Sequence, residues 1–236
     1  MRRAMFGALA LALLPMGCET TGVPGGFGTI LGDVMGSPTA QGALSQAEID
    51  AGLREALTVS TNLVAAQLGK TDGYFGDPRI RIPLPKTYRD IQTNLARVGA
   101  SGPLDDLELR MNRAAEAAVP DARALILGAV RSITINDALQ ILNGGDTAAT
   151  DYLRARTETQ LRASFTPYVR QSLERSPSQY GLGGVTSNLQ GDLTNHAVGL
   201  GLDGIFLYVA DEEKKIRENP VARTSEILRR VFGNRA

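Results

Sequence analysis

The 236-residue chain carries 25 basic and 25 acidic side chains, a balance that excludes the basic excess by which nucleic-acid binders are recognised. One Cys and one His exclude an intramolecular disulfide and a Cys/His zinc site, so a site must be built from carboxylates, Arg, Lys, Tyr, Ser/Thr and backbone. Aromatics make up 5% with no Trp, and the Ala- and Leu-rich remainder favours helices over strands.

Residues 1–17 read as a signal peptide. Arg2 and Arg3 precede an apolar run over 4–16 that is too short to anchor in a bilayer. The run ends in Leu14-Pro15-Met16-Gly17-Cys18. This is similar to a bacterial lipobox, with a small residue before the cysteine, although Pro15 stands where such motifs prefer Leu. The expectation is acylation of Cys18 and attachment to a membrane through its acyl chains. That would place the protein in the bacterial cell envelope, facing the periplasm, and Glu19 leaves inner or outer membrane open. The alternative is secretion with an unmodified Cys18. Residues 18–43, rich in glycine and with Pro24 and Pro38, read as a flexible tether spanning roughly 25–30 Å on average. Within it, Phe27, Ile30 and Leu31 are more apolar than a tether needs.

Residues 44–236 read as a single all-α globular domain of about 8–10 helices. Ser45 and Glu48 have capping-box spacing and open a helix with Ile49, Leu53, Leu57, Val64 and Leu68 on one face, ended by Gly69. Residues 70–86, broken by Gly73, Gly76, Pro78, Pro83 and Pro85, are irregular. From 79 to 85 basic and apolar residues alternate, which puts Ile80, Ile82 and Leu84 on one side and Arg79 and Arg81 on the other. That piece is either an edge that reads anions or a strap over the core with solvated arginines. Residues 87–98 predict a helix with Ile91, Leu95 and Val98 inward.

The next helix, 105–119, is expected to be the one the rest packs around. Leu104, Leu107, Met111, Ala114, Ala115 and Ala118 form an apolar stripe. Nearly opposite, Leu109, Asn112, Arg113 and Glu116 place an amide, a guanidinium and a carboxylate within mutual reach. Pro120 marks a restart, followed by a helix over 121–132. Thr134 and Asp137 suggest a second cap, opening a helix with Ala138, Ile141 and Leu142 inward. Asn143-Gly144-Gly145-Asp146-Thr147 is a stop and restart, with glycines able to take positive φ and Asp146 as N-cap. Its other reading is an anion cradle at a helix N-terminus. A helix over 147–162 carries Tyr152, and Pro167 separates it from a short helix at 168–174. Residues 176–192 read as a loop. Residues 193–219 form one or two helices broken near Gly199–Gly204, and i,i+4 charge pairs are expected at 211–215, 213–217 and 214–218. Asn219 and Pro220 open a last helix burying Ile227, Leu228, Val231 and Phe232.

Several stretches together resemble the bacterial DUF4197 family, a domain of unknown function. They are SQAEIDAGLREAL, RIPLP, LELRMNRAAEAA, LNGGDTAAT, LDGIF, EEKKIRENPVART and VFG. The resemblance spans residues 44–233 and implies envelope proteins, often lipoproteins, with no assigned activity. Members tend to carry a Lys just before the LDG-like run, where this chain has Leu200-Gly201.

The expected function is that of a non-catalytic helical binding or scaffold domain held at the membrane, with an envelope protein or small ligand as partner and no cofactor or metal. The alternatives are a carrier of a small apolar or anionic ligand in a helix-lined pocket, or an enzyme built on carboxylates and arginines. The candidate ligand-binding residues are Arg110, Asn112, Arg113 and Glu116. Asp146, Asp203, Glu212 and Glu213 are secondary. The Arg113/Glu116 spacing serves equally for a structural ion pair between elements, and His196, bordering a loop, is expected to be structural or solvated.

Overall fold

The computed structural model describes residues 45–174, 187–218 and 231. The signal peptide, Cys18, the tether, most of the 176–192 loop and the last helix (apart from Val231) lie outside them. Six helices run in chain order: α1 (Gln46–Leu68), α2 (Lys86–Ala96), α3 (Gly102–Arg131), α4 (Ile135–Asn143), α5 (Ala148–Glu174) and α6 (Ser187–Glu218). The described residues contain no strand, so the all-α expectation holds.

Among the described residues the helices are fewer and longer than expected, because two prolines do not break the chain. Pro120 lies inside α3 and Pro167 inside α5. Each is exposed, so its ring finds room on the solvent side while the helix gives up one intrahelical hydrogen bond. The expected break at Gly199–Gly204 is also absent: α6 runs through it, and its start at Ser187 takes in the end of the expected loop. Local signals are obeyed. Ser45 and Glu48 cap α1 reciprocally, at 3.2 Å for Glu48 N–H to Ser45 Oγ and 2.9 Å for Ser45 N–H to Glu48 Oε2. Thr134 and Asp137 do the same for α4. Gly144 keeps a negative φ of −80°. It is required there for room, since a Cβ would stand 2.5 Å from that of Ala148.

α3 packs against α1, α2, α5 and α6. Its apolar stripe is buried as expected, but so are Glu108, Asn112 and Glu116. A helix enclosed on nearly all sides needs a second cover for its polar face, and residues 69–85 supply it as a strap. Ile80, Ile82 and Leu84 are buried and Arg79 and Arg81 are exposed, so the alternation holds without a sheet. The strap lies close against α6 at Gly204, where a Cβ would be 2.8 Å from the Tyr74 ring. At the other end of α3, Arg54 of α1 donates to the carbonyls of Arg131 and Ile133, satisfying acceptors that the helix end leaves open.

α2 departs from expectation. None of its residues is buried. Gln92 donates to Asp105 Oδ1 at 2.7 Å and Glu108 Oε2 at 3.1 Å, which turns Tyr88, Gln92 and Leu95 towards α3. Ile91 sits about 60° round the helix from Tyr88, Val98 falls in the turn beyond Ala96, where the helix ends short of the expected 98, and both stay exposed, at 47% and 76%.

Candidate functional site

The polar stripe of α3 is set by helical spacing: Glu108, Asn112 and Glu116 follow one another at i, i+4 and i+8. Each grips the strap. Asn112 is 0% exposed; its Oδ1 accepts from Ile82 N–H at 2.9 Å, and its Nδ2 donates to Ile82 O at 2.9 Å and to Glu108 O at 2.8 Å. One amide thus replaces the partners a neighbouring strand would give Ile82. Glu116 is 4% exposed. Its Oε1 accepts from the backbone N–H groups of Tyr74 and Phe75 at 3.1 and 3.3 Å, and its Oε2 accepts from Arg113 at 2.7 Å. Arg113 also donates to Asp72 at 2.7 Å. Asp72 has a positive φ of 63°, a conformation that Asp tolerates better than most residues. Glu108 Oε1 accepts from Arg81 at 2.7 Å.

The strap's arginines are not simply solvated. Arg81 stacks over Phe75 at 4.0 Å and Arg79 over Tyr208 at 4.7 Å, and Arg79 donates to Asp211 at 2.8 Å. Tyr208 donates to Asp77. Asp77 is held below the usual carboxylate range, chiefly by that hydroxyl and further by the Arg79 backbone N–H and guanidinium, against the effect of burial. Beneath the strap, Tyr74 donates to Gly201 O at 2.6 Å. Its hydroxyl is pushed far up, first by burial and then by the charge of Glu116. His196 Nε2 bonds Pro83 O at 2.8 Å, so this ring joins the same clamp.

The structure brings Asn112, Arg113 and Glu116 together, but places Arg110 elsewhere. Its Nε donates to Asp106 at 2.5 Å, and its carbonyl accepts from Ser172 of α5 at 2.9 Å. The secondary candidates fall in other places. Asp203 pairs with Arg154 at 2.9 Å on a groove of about 380 Å³ between α5 and α6, floored by Phe206 and Thr150. Glu212 pairs with exposed Lys215 at 2.6 Å.

Glu213 lies against the start of α5. It is 5% exposed and accepts from Ala149 N–H and Thr150 N–H, both at 2.9 Å, and from Thr150 Oγ1 at 2.8 Å. The start of α5 is therefore an anion site filled from within by a carboxylate of α6, and Asp146 makes none of these bonds. Arg217 completes the junction, donating to Glu213 at 2.8 Å and to Ile141 O of α4 at 3.0 Å. Of the expected i,i+4 pairs, 213–217 and 214–218 form. Asp211 and Lys215 are drawn to Arg79 and Glu212 instead.

Among the described residues no three His, Cys, Asp or Glu side chains converge as metal ligands. Glu108 is absent from the sequence-derived candidates, although its place one turn before Asn112 was a visible signal. The bonds of Glu213 to the start of α5 had no local signal, because Ala149 and Thr150 lie more than sixty residues away; its pair with Arg217 was the local part.

A family model described as "Protein of unknown function (DUF4197)" matches residues 43–233. The chain belongs to the DUF4197 family. Comparisons with curated proteins and with solved structures give no match. In this DUF4197 member the RIPLP and LELRMNRAAEAA stretches are the two halves of one clamp, joined by Asn112 and Ile82. The LDG run begins beside Gly201, where a Cβ would meet Phe165 at 3.4 Å.

Proposed function

We propose that this protein is a lipid-anchored component of the bacterial cell envelope whose helical domain acts as a non-catalytic binding or scaffold module. One observation carries the non-catalytic part: the polar groups of α3 best suited to chemistry are spent on holding the strap. General acid–base work needs a carboxylate within reach of a substrate proton. Glu116 and Asn112 are sealed, and each is bonded to strap backbone. The carrier alternative finds little support in the core, where the cavities between α1, α3 and α6 and between α1, α5 and α6 hold about 10 Å³ each, the scale of one water. The anchor is supported by the Leu14–Cys18 sequence, in which the chain's single cysteine falls at the lipobox position.

Metabolic labelling with a palmitate analogue tests the anchor. The wild-type chain should take up label and sediment with membranes, and Cys18→Ser should do neither. An unlabelled wild-type chain overturns the reading. Native mass spectrometry of protein taken from envelopes tests the module. A cross-linked protein partner without a retained small molecule is expected, and a stoichiometric metabolite or metal would refute the non-catalytic role.

A further inference from the structure

The α2 arm has no assigned role. It is the only described helix with no buried residue. Ile91 lies on α2 and Val98 in the turn that follows it; α3 takes up Leu95, and Ile91 and Val98 form the exposed apolar flank of the arm. Pro83 and Pro85 precede the arm and Gly99, at φ +71°, turns the chain after it. Residues 86–101 carry Lys86, Arg89 and Arg97 against Asp90 alone, and Asp90 is paired with Lys86 at 2.6 Å. The nearby Asp105 is engaged by Gln92 and Ser101, both at 2.7 Å.

We infer that this arm is a second membrane contact, laying Ile91 and Val98 on an anionic lipid surface. The inference rests on the lipid-anchored reading above, and two observations choose a bilayer over other occupants. The first is charge: a basic arm with an apolar flank has the make-up of an interfacial helix, and basic side chains are drawn to anionic headgroups. The second is reach. Residues 19–44 separate the anchor from Ser45, a chain averaging roughly 25–30 Å and extending to roughly 85–95 Å. Arg54, a little over two turns into α1, bonds the C-terminal end of α3. The arm joins the N-terminal end, so the 30-residue α3 sets the two about 45 Å apart. The extended reach of residues 19–44 exceeds that separation, so an acylated chain is long enough to let the arm meet the bilayer. A contact too weak to bind a free protein is populated under that effective concentration.

The absence of Trp provides the assay. A Cys18→Ser chain lacking residues 1–17 is never acylated, so it reports the arm without the anchor. Val98→Trp in that background places one fluorophore on the flank, and Leu63→Trp, at a site 54% exposed on α1, serves as control. Circular dichroism at 222 nm confirms that both are folded. Titration with phosphatidylcholine–phosphatidylglycerol vesicles to millimolar lipid should shift Val98→Trp emission to the blue. The shift should fall in 0.5 M salt and on pure phosphatidylcholine, and adding Ile91→Ser should lower partitioning about fivefold. Leu63→Trp should not shift. No shift at Val98→Trp, or an equal shift at Leu63→Trp, overturns the inference. So does a shift that follows protein concentration without lipid, which marks a second copy as the occupant. Palmitate labelling reports separately on the anchor, so either reading can fail alone.

Discussion

Replacing Asn112 with Ala removes the one side chain that satisfies both backbone groups of Ile82, which is 0% exposed. No water reaches that position, so an N–H and a C=O lose their partners in the core. Each orphaned group costs about 1–3 kcal/mol, and their shared origin in one residue places the total at about 3–4 kcal/mol. Against a whole-domain stability of about 5–15 kcal/mol, that is a large fraction. For a domain of this size each kcal/mol lowers the melting temperature by about 2–4 °C, so Asn112→Ala should melt about 6–16 °C lower. Asn112→Asp keeps an acceptor for Ile82 N–H but loses the donor to Ile82 O and buries a charge, so it should be no milder. Urea titration followed by circular dichroism measures the loss, and hydrogen exchange locates it: the Ile82 amide should lose protection before the amides of α3. A loss under 0.5 kcal/mol with the Ile82 amide still protected would refute the clamp.

Three further outcomes follow from the same contacts. Glu213→Ala strands Arg217 in a site where that side chain is only 13% exposed and should cost about 3–5 kcal/mol, whereas Lys215→Ala should change urea stability by less than about 0.5 kcal/mol; equal effects would dismiss the buried junction. Gly204→Ala should destabilise by about 1–3 kcal/mol through its clash with Tyr74, while Gly199→Ala, with nothing within 4 Å, should stabilise by up to about 1 kcal/mol; the same sign in both thermal melts would be the failing result. Asp77 is held low chiefly by the Tyr208 hydroxyl, and Asp137 chiefly by the Thr134 N–H and then its hydroxyl. A folded-state pKa below the unfolded value of about 4 stabilises above that value, and the gain is lost as pH falls through the lower one. Urea midpoints should therefore drop as pH falls from about 4, and less steeply in Tyr208→Phe; an unchanged slope in that variant would remove Asp77 from the account.

What this sequence determined unaided is what acts within about one helical turn. The caps at Ser45 and Thr134 need a partner three residues on, and the burial of Ile80, Ile82 and Leu84 needs only a period of two. The apolar stripe of α3 and the all-α class follow from spacing and composition in the same way. Tertiary structure decided everything that required choosing among distant partners of equal local merit. Asn112 and Glu116 were legible as a polar stripe, but not as a clamp, because their partners lie 30 to 42 residues back along a segment with no helical period. Asp211 had Lys215 one turn away and took Arg79 instead, 132 residues back. The anion for the start of α5 could not be read near Asp146, since it arrives from α6. Such choices depend on which helices lie side by side, and a local period carries no information about that.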